Sequence, residues 1–142
     1  MIIEQILKTK GDEVTTVPDT ATLQDTAKIL DEARIGAIVA LDGGGEVCGV
    51  LSERDIVRQM ARNGNAALSM KVSDSMTRDV ITAAPTDTLE ASLSLMTDRR
   101  IRHLPVVRDG SLIGIVSIGD LVKWKIAETE AEAESLKSYL AS

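Results

Sequence analysis

Apolar residues recur at helical spacing in two places along the chain, Leu23, Ala27 and Leu30, then Leu89, Leu93 and Met96. Each set forms one stripe on a helix. A residue able to cap that helix stands just ahead, Thr22 in the first case and Asp87 or Thr88 in the second. A side-chain oxygen there accepts one of the unpaired N–H groups of the first turn. The pattern then changes period. Ile35 to Leu41 and Val47 to Leu51 are short apolar runs around Asp42-Gly43-Gly44-Gly45, and Ile101 to Val107 with Leu112 to Val116 flank Arg108-Asp109-Gly110. Runs of that length about a glycine turn predict paired strands, and a further helix follows each pair. With the short extended stretches Val14-Thr15-Thr16 and Val80-Ile81-Thr82 in front, each unit reads strand, helix, strand, strand, helix.

The two units are a repeat. Thr22-Leu23 returns as Thr88-Leu89 and Arg34-Ile35 as Arg100-Ile101, 66 positions on. Gly49-Val50-Leu51-Ser52-Glu53-Arg54-Asp55-Ile56-Val57 returns as Gly114-Ile115-Val116-Ser117-Ile118-Gly119-Asp120-Leu121-Val122, 65 positions on. The lost position falls in the glycine turn, where a hairpin tolerates a change of length. A unit of roughly 60 residues leaves one sheet face wet and is marginal alone. The predicted fold is therefore α/β (α+β), two pseudo-twofold-related β-α-β-β-α motifs sharing one core. The expected divisions are residues 1–65 for the first motif and 66–126 for the second, joined near Asn63 to Ser69. Residues 127–142 form a C-terminal amphipathic helix, with Ile126, Leu136, Tyr139 and Leu140 on a face that needs a partner such as a second subunit.

Composition narrows the function. At 142 residues there is room for one core, and 44% hydrophobic with 27% charged residues describes a chain that folds. With no Phe, one Trp and one Tyr, the core is aliphatic and an aromatic platform for stacking bases is excluded. A net charge of −6 opposes a polyphosphate backbone, so no nucleic acid is expected as a partner. The single cysteine, Cys48, has no second thiol for a disulfide or a zinc site. No segment reaches the about 18 continuous apolar residues of a membrane span, and Met1-Ile2-Ile3-Glu4-Gln5 lacks the start of a secretory signal. The expectation is a cytoplasmic protein without a membrane partner.

The chemistry concentrates where a strand becomes a helix. Ser52 and Ser117 stand at those junctions, with Asp55 and Asp120 three residues on. Free first-turn N–H groups and the positive end of the helix dipole favour an anionic ligand there. The same spacing is also that of a helix cap, and the two roles are compatible. The aspartates repel phosphate, whereas a carboxylate suits a ribose diol. Arg54, Arg102 and His103 supply local positive charge for a phosphate. Other features read as structural. His103 is the only histidine, so no metal site is expected. Cys48 lies in an apolar strand without a neighbouring base. Gly43-Gly44-Gly45 lacks the Lys-Ser/Thr and helix of a phosphate loop and reads as a turn. Arg99-Arg100 complements a helix end. No activated nucleophile or acid–base pair stands out, so no catalytic residue and no enzyme is expected.

Gly49 to Asp55 and Gly114 to Asp120 resemble the signature of cystathionine-β-synthase-type (CBS) domains: glycine, two apolar residues, Ser or Thr, any two, then Asp. Arg102-His103-Leu104-Pro105-Val106-Val107 resembles the strand that precedes it in that family. The resemblance runs from about Ile3 to Lys125. It implies a tandem pair, a Bateman module, here of the stand-alone bacterial type. It further implies two clefts for an adenine nucleotide or related ligand, AMP first, with ADP, ATP, NAD and S-adenosylmethionine as alternatives, and a homodimer of four motifs. The implied ligand shell is Val14, Ile35, Gly36, Ala37, Ser52, Arg54 and Asp55, with Val80, Ile101, Arg102, His103, Pro105, Ser117 and Asp120. Adenine is expected against backbone groups near Val14 and Val80 and the strand starts, each cleft drawing on both copies. The implied function is regulatory: the ligand changes conformation or affinity for an unknown regulated protein. The alternative is a ligand-free oligomerisation scaffold. Copy one reads Ile35-Gly36-Ala37-Ile38-Val39 without the Arg, His and Pro of copy two, and Arg54 becomes Gly119. Two unequal sites are therefore expected.

Overall fold

The computed structural model of the chain describes residues 1–11 and 14–141, and its local structure repeats as the sequence does. Thr22 Oγ1 accepts from Asp25 N at 3.1 Å and Thr88 Oγ1 from Ala91 N at 3.1 Å, opening α2 (Leu23–Ala33) and α4 (Leu89–Arg99). Both helices stop on an arginine in the left-handed region, Arg34 at φ 55° and Arg100 at φ 54°. There the backbone N–H turns back to carbonyls of the last turn, Leu30 and Asp31 or Met96 and Thr97, a helix stop more often made by glycine.

The chain divides into two compact units, Val14–Ile81, and Met1–Glu13 with Thr82–Ser142. In the first, β1 (Thr16–Pro18) pairs parallel with β2 (Ala37–Leu41), which pairs antiparallel with β3 (Val47–Ser52). α3 (Glu53–Asn63) follows β3 directly. Its core is Val17, Leu23, Leu30, Ile38, Ala40, Leu51, Ile56, Val72 and Met76, all aliphatic or thioether, as a chain without Phe requires. The expected joint is a 3-10 helix, Gly64–Ser69, whose Ala67 is buried.

The second unit repeats the plan with β4 (His103–Arg108) antiparallel to β5 (Ser111–Ser117), then α5 (Ile118–Ala141). Both hairpins carry an irregularity at the same place, after Ala40 and after Val106. Asp109 at φ 50° and Gly110 at φ 81° make the two-residue turn with both residues left-handed, which matches the twist of the strands it joins. The longer first turn is instead organised by Asp42, whose Oδ1 accepts from Gly44 N at 2.9 Å and Glu46 N at 3.0 Å.

The leading strands depart from expectation. β1 begins at Thr16 rather than Val14, since pairing runs only where β2 offers its edge, Thr16 to Val39 through Pro18 to Leu41. Val80-Ile81-Thr82 forms no strand. Val80 N turns back to Arg78 O at 2.9 Å, and the pairing that corresponds to β1 shrinks to one parallel bridge, Ala83 to Val106.

An eight-residue helix absent from the sequence reading, α1 (Ile3–Lys10), buries Ile3, Ile6 and Leu7 in the second unit. It is half of a further repeat, 69 positions apart. Leu89 N donates to Met1 O as Leu23 N does to Met70 O, and Ile3 N to Asp87 O as Val72 N to Ala21 O. Ile2 N is capped by Gln5 Oε1 at 2.9 Å as Lys71 N is by Asp74 Oδ2 at 3.1 Å. The stretch before the first motif thus packs on the second, and Met70–Thr77 packs on the first. Residues 127–141 continue α5 without a break.

Candidate functional site

Each signature glycine is explained by that second repeat. A Cβ on Gly114 would lie 2.6 Å from Leu7 Cδ2, and one on Gly49 would overlap Met76 Sδ and lie 2.7 Å from its Cγ. Leu7 and Met76 are equivalent residues of the two leading segments, so a side chain fills the space above each glycine. Three residues on, the strand ends in a serine and the helix begins.

The Ser-x-x-Asp junctions are capping boxes. At the first, Ser52 N donates to Asp55 Oδ2 at 2.8 Å, Ser52 Oγ donates to the same oxygen at 3.0 Å, and Asp55 N reaches Ser52 Oγ at 3.3 Å. At the second, Ser117 N donates to Asp120 Oδ2 at 2.9 Å and Asp120 N to Ser117 Oγ at 3.1 Å. The strand starts meet these junctions through the backbone: Glu53 N donates to Gly36 O at 2.9 Å and Ile118 N to Arg102 O at 2.8 Å. Ala37 is in register with Ser52 and His103 with Ser117. The expectation of a row of free first-turn N–H groups is thus corrected, since the first and third are taken at both junctions.

The aspartates differ in their counter-ions. Asp55 Oδ1 accepts from Arg58 Nη1 at 3.3 Å, one turn along its own helix. Asp120 Oδ2 accepts from Lys10 Nζ at 2.6 Å, a residue of α1, and the same ammonium donates to Ile115 O at 2.9 Å. Partial burial pushes the Asp120 carboxyl up, but the Lys10 ammonium and the Ser117 N–H outweigh it and hold it below the ordinary aspartate range. Asp55 is the more enclosed, its side chain 15% exposed against 28% for Asp120. Among the described hydrogen bonds, both oxygens of Asp55 are engaged, whereas those to Asp120 all end on Oδ2.

The structure therefore brings Gly36, Ala37, Ser52 and Asp55 together in one unit and Arg102, His103, Ser117 and Asp120 in the other. Ile35 and Gly36 also line an open groove of about 550 Å³ with Leu30, Arg34, Ile56 and Val57. Arg54 and Arg102 are exposed, and Ile101 is half-buried just before β4. Pro105 is buried further along β4, where its carbonyl accepts from Ala83 N at 2.9 Å, so it builds the sheet. Val14 and Val80 lie in irregular chain, and the described hydrogen bonds tie neither to a junction. Sequence reasoning missed Arg58, legible at three residues from Asp55, and Lys10, legible only once Ile3, Ile6 and Leu7 are recognised as a helical stripe.

Cys48 is half-buried against the core of its unit. Burial and the charges of Asp19 and Asp42 push its thiol up, away from nucleophilic character. Among the described residues no three of His, Cys, Asp and Glu are grouped to hold a metal ion, and no helix is long and apolar enough to cross a membrane.

A family model described as the CBS domain matches residues 3–62 and 72–127. Among solved structures, a CBS-domain-containing protein from Agrobacterium tumefaciens is 38% identical, with a TM-score of 0.83 over 86% of this chain and 91% of that one. A CBS domain pair solved with 5′-methylthioadenosine and S-adenosyl-L-methionine is 25% identical, with a TM-score of 0.80 over 90% of this chain and 98% of that one. A CBS domain protein from Pyrobaculum aerophilum complexed with AMP is 28% identical, with a TM-score of 0.76 over 84% of this chain and 89% of that one.

Proposed function

The chain belongs to the CBS domain family, and from that premise we propose that it is a regulatory module that binds an adenine nucleotide, AMP before ATP or NAD, at its two Ser-x-x-Asp junctions. CBS domain proteins are generally regulatory, and in this reading the ligand acts by changing the conformation of the chain or its affinity for a regulated protein. We place it in the cytoplasm as a homodimer. The observation that carries the reading is the repetition of one serine–aspartate junction, at a helix start, in both copies. The two ligand-bound family members, one with AMP and one with S-adenosylmethionine and methylthioadenosine, support adenosine as the shared part of the ligand.

In this reading each aspartate accepts the ribose diol and each serine hydroxyl faces ribose or phosphate. Arg54 at one site and Arg102 and His103 at the other neutralise phosphate, with Ile35, Gly36, Ala37, Ile101 and Pro105 shaping the apolar part. Backbone groups near Val14 and Val80 read adenine. The second site is the stronger. Asp120 keeps an oxygen outside the described hydrogen bonds, Arg102 and His103 adjoin Ser117, and the first copy offers Gly36 and Ala37 in their place.

Thermal unfolding against AMP, ADP, ATP, NAD, NADH and S-adenosylmethionine tests this, because a ligand of the native state raises apparent stability by mass action. The expected result is a clear rise with AMP that Asp120→Ala removes. A rise with S-adenosylmethionine alone replaces the nucleotide. No rise with any compound overturns the sensor and leaves the oligomerisation scaffold.

A further inference from the structure

The far part of α5 is exposed along all its described residues. Its first turns dock through Leu121, Trp124, Lys125 and Glu128, all at least half-buried, whereas every residue from Thr129 to Ala141 is exposed. About 100° round the helix from the docked stripe, a second row runs Val122, Ile126, Thr129, Ala133, Leu136 and Leu140. The steps alternate four and three, the spacing of a heptad seam. Val122, Ile126, Leu136 and Leu140 are 43%, 54%, 59% and 74% exposed, a line of large apolar side chains in water.

The charges beside the seam choose the partner and its direction. Lys123, Glu130 and Lys137 flank it on one side, Lys125, Glu132 and Tyr139 on the other. In a parallel pair of identical helices, each residue of the second set faces the residue five positions later in the first set of the other helix. Lys125 then meets Glu130 of the second copy, and Glu132 meets Lys137 of the second copy, so each pairing is attractive. The antiparallel register that pairs the same apolar layers opposes Glu130 to Glu130, Glu132 to Glu132 and Lys123 to Lys137, three repulsions. Within its own chain Lys125 reaches Glu90 at 3.1 Å. Both side chains of that pair are only about half exposed, 44% and 52%, so the pair is weak enough for Glu130 of a second copy to compete with it.

We propose that the C-terminal part of α5 is a parallel two-stranded coiled-coil seam that pairs with the same helix of a second copy. This deepens the homodimer in the proposed function and rests on it, while being independent of any nucleotide. Thr129 and Ala133 make the seam thin, so it sets the direction of a dimer more than its strength.

Disulfide mapping tests it, in a Cys48→Ser background with one cysteine introduced at a time. In the parallel pair Leu136 lies against Leu136 of the second copy. Under mild oxidation Leu136→Cys is expected to give a covalent dimer, and Ser138→Cys, on the outer face, is not. Sedimentation without oxidation supplies the second readout. Glu130→Lys with Glu132→Lys is expected to raise the dimer dissociation constant about tenfold at low salt, and adding Lys125→Glu and Lys137→Glu to restore it. A dimer by sedimentation that Leu136→Cys does not link, or that ignores the charge reversal, overturns the seam and leaves the homodimer standing. A monomer overturns both.

Discussion

The two serine–aspartate junctions share a capping box and differ in what holds the acid. Asp55 is held by Arg58, one turn along the same helix, whereas Asp120 is held by Lys10 from a helix at the other end of the chain. The first arrangement is local and forms whenever α3 forms. The second depends on the docking of α1, the helix that lays Leu7 over Gly114 and carries Lys10 to the carboxylate. Two copies of one motif can thus present the same signature and carry different electrostatics, the difference coming from a segment outside the signature.

The docking of Leu7 is where this contrast breaks most easily. Gly114→Ala places a methyl group against a branched side chain and is expected to cost about 2 kcal/mol of unfolding free energy by denaturant titration. Gly49→Ala overlaps Met76 more closely, at Sδ and Cγ with Cβ behind them, but on an unbranched and more adaptable side chain, and is expected to cost less. Combining Gly114→Ala with Leu7→Ala should cost less than the two losses added together, as direct contact requires. Equal costs at both glycines with full additivity would mean that Leu7 is not what excludes a side chain there.

A smaller effect separates the counter-ions. Asp120 is held below its ordinary range, so its stabilisation is fully present above the unfolded value of about 3.9 and is lost as pH falls through the lower folded value. Lys10→Ala removes the ammonium and moves that loss to higher pH. Lys10 is more than a third exposed, so after screening the expected difference from the parent chain is about 0.5–1 kcal/mol near pH 7, shrinking toward pH 2. Arg58→Ala, on a more exposed side chain, should give a smaller difference. Parallel stability curves for the parent chain and Lys10→Ala down to pH 2 would remove Lys10 from the account of Asp120.

What the sequence made legible was local. Thr22 and Thr88 cap their helices, the glycine turns close two hairpins, and Ser52 and Ser117 stand at strand-to-helix junctions as their spacing requires. The leading segments escaped because they repeat at 69 positions rather than 66 and share little identity beyond Met1 and Met70. What recurs there is a hydrogen-bond pattern, carried by the backbone and blind to side-chain type. The apolar spacing of Ile3, Ile6 and Leu7 was available, but eight residues make a marginal helix until tertiary packing supports them. β1 moved two residues because strand limits depend on where β2 offers an edge, and a run of β-branched residues such as Val14-Thr15-Thr16 cannot report that. The continuity of α5 was legible in part, since Ala127 to Ala133 holds Ala or Glu, two good helix formers, at every position but Thr129, with no breaker at the proposed division.

The unequal-site reading is tested most directly by titration calorimetry with AMP on the parent chain, Asp55→Asn and Asp120→Asn, each shown folded by thermal unfolding. Loss of a charge-assisted hydrogen bond to the ribose corresponds to about 1.5–3 kcal/mol, tenfold or more in affinity. Asp120→Asn is expected to weaken the tighter site by at least that factor, and Asp55→Asn to leave the tighter site intact. Equal losses from the two substitutions, or loss of the tighter site from Asp55→Asn alone, would contradict the assignment.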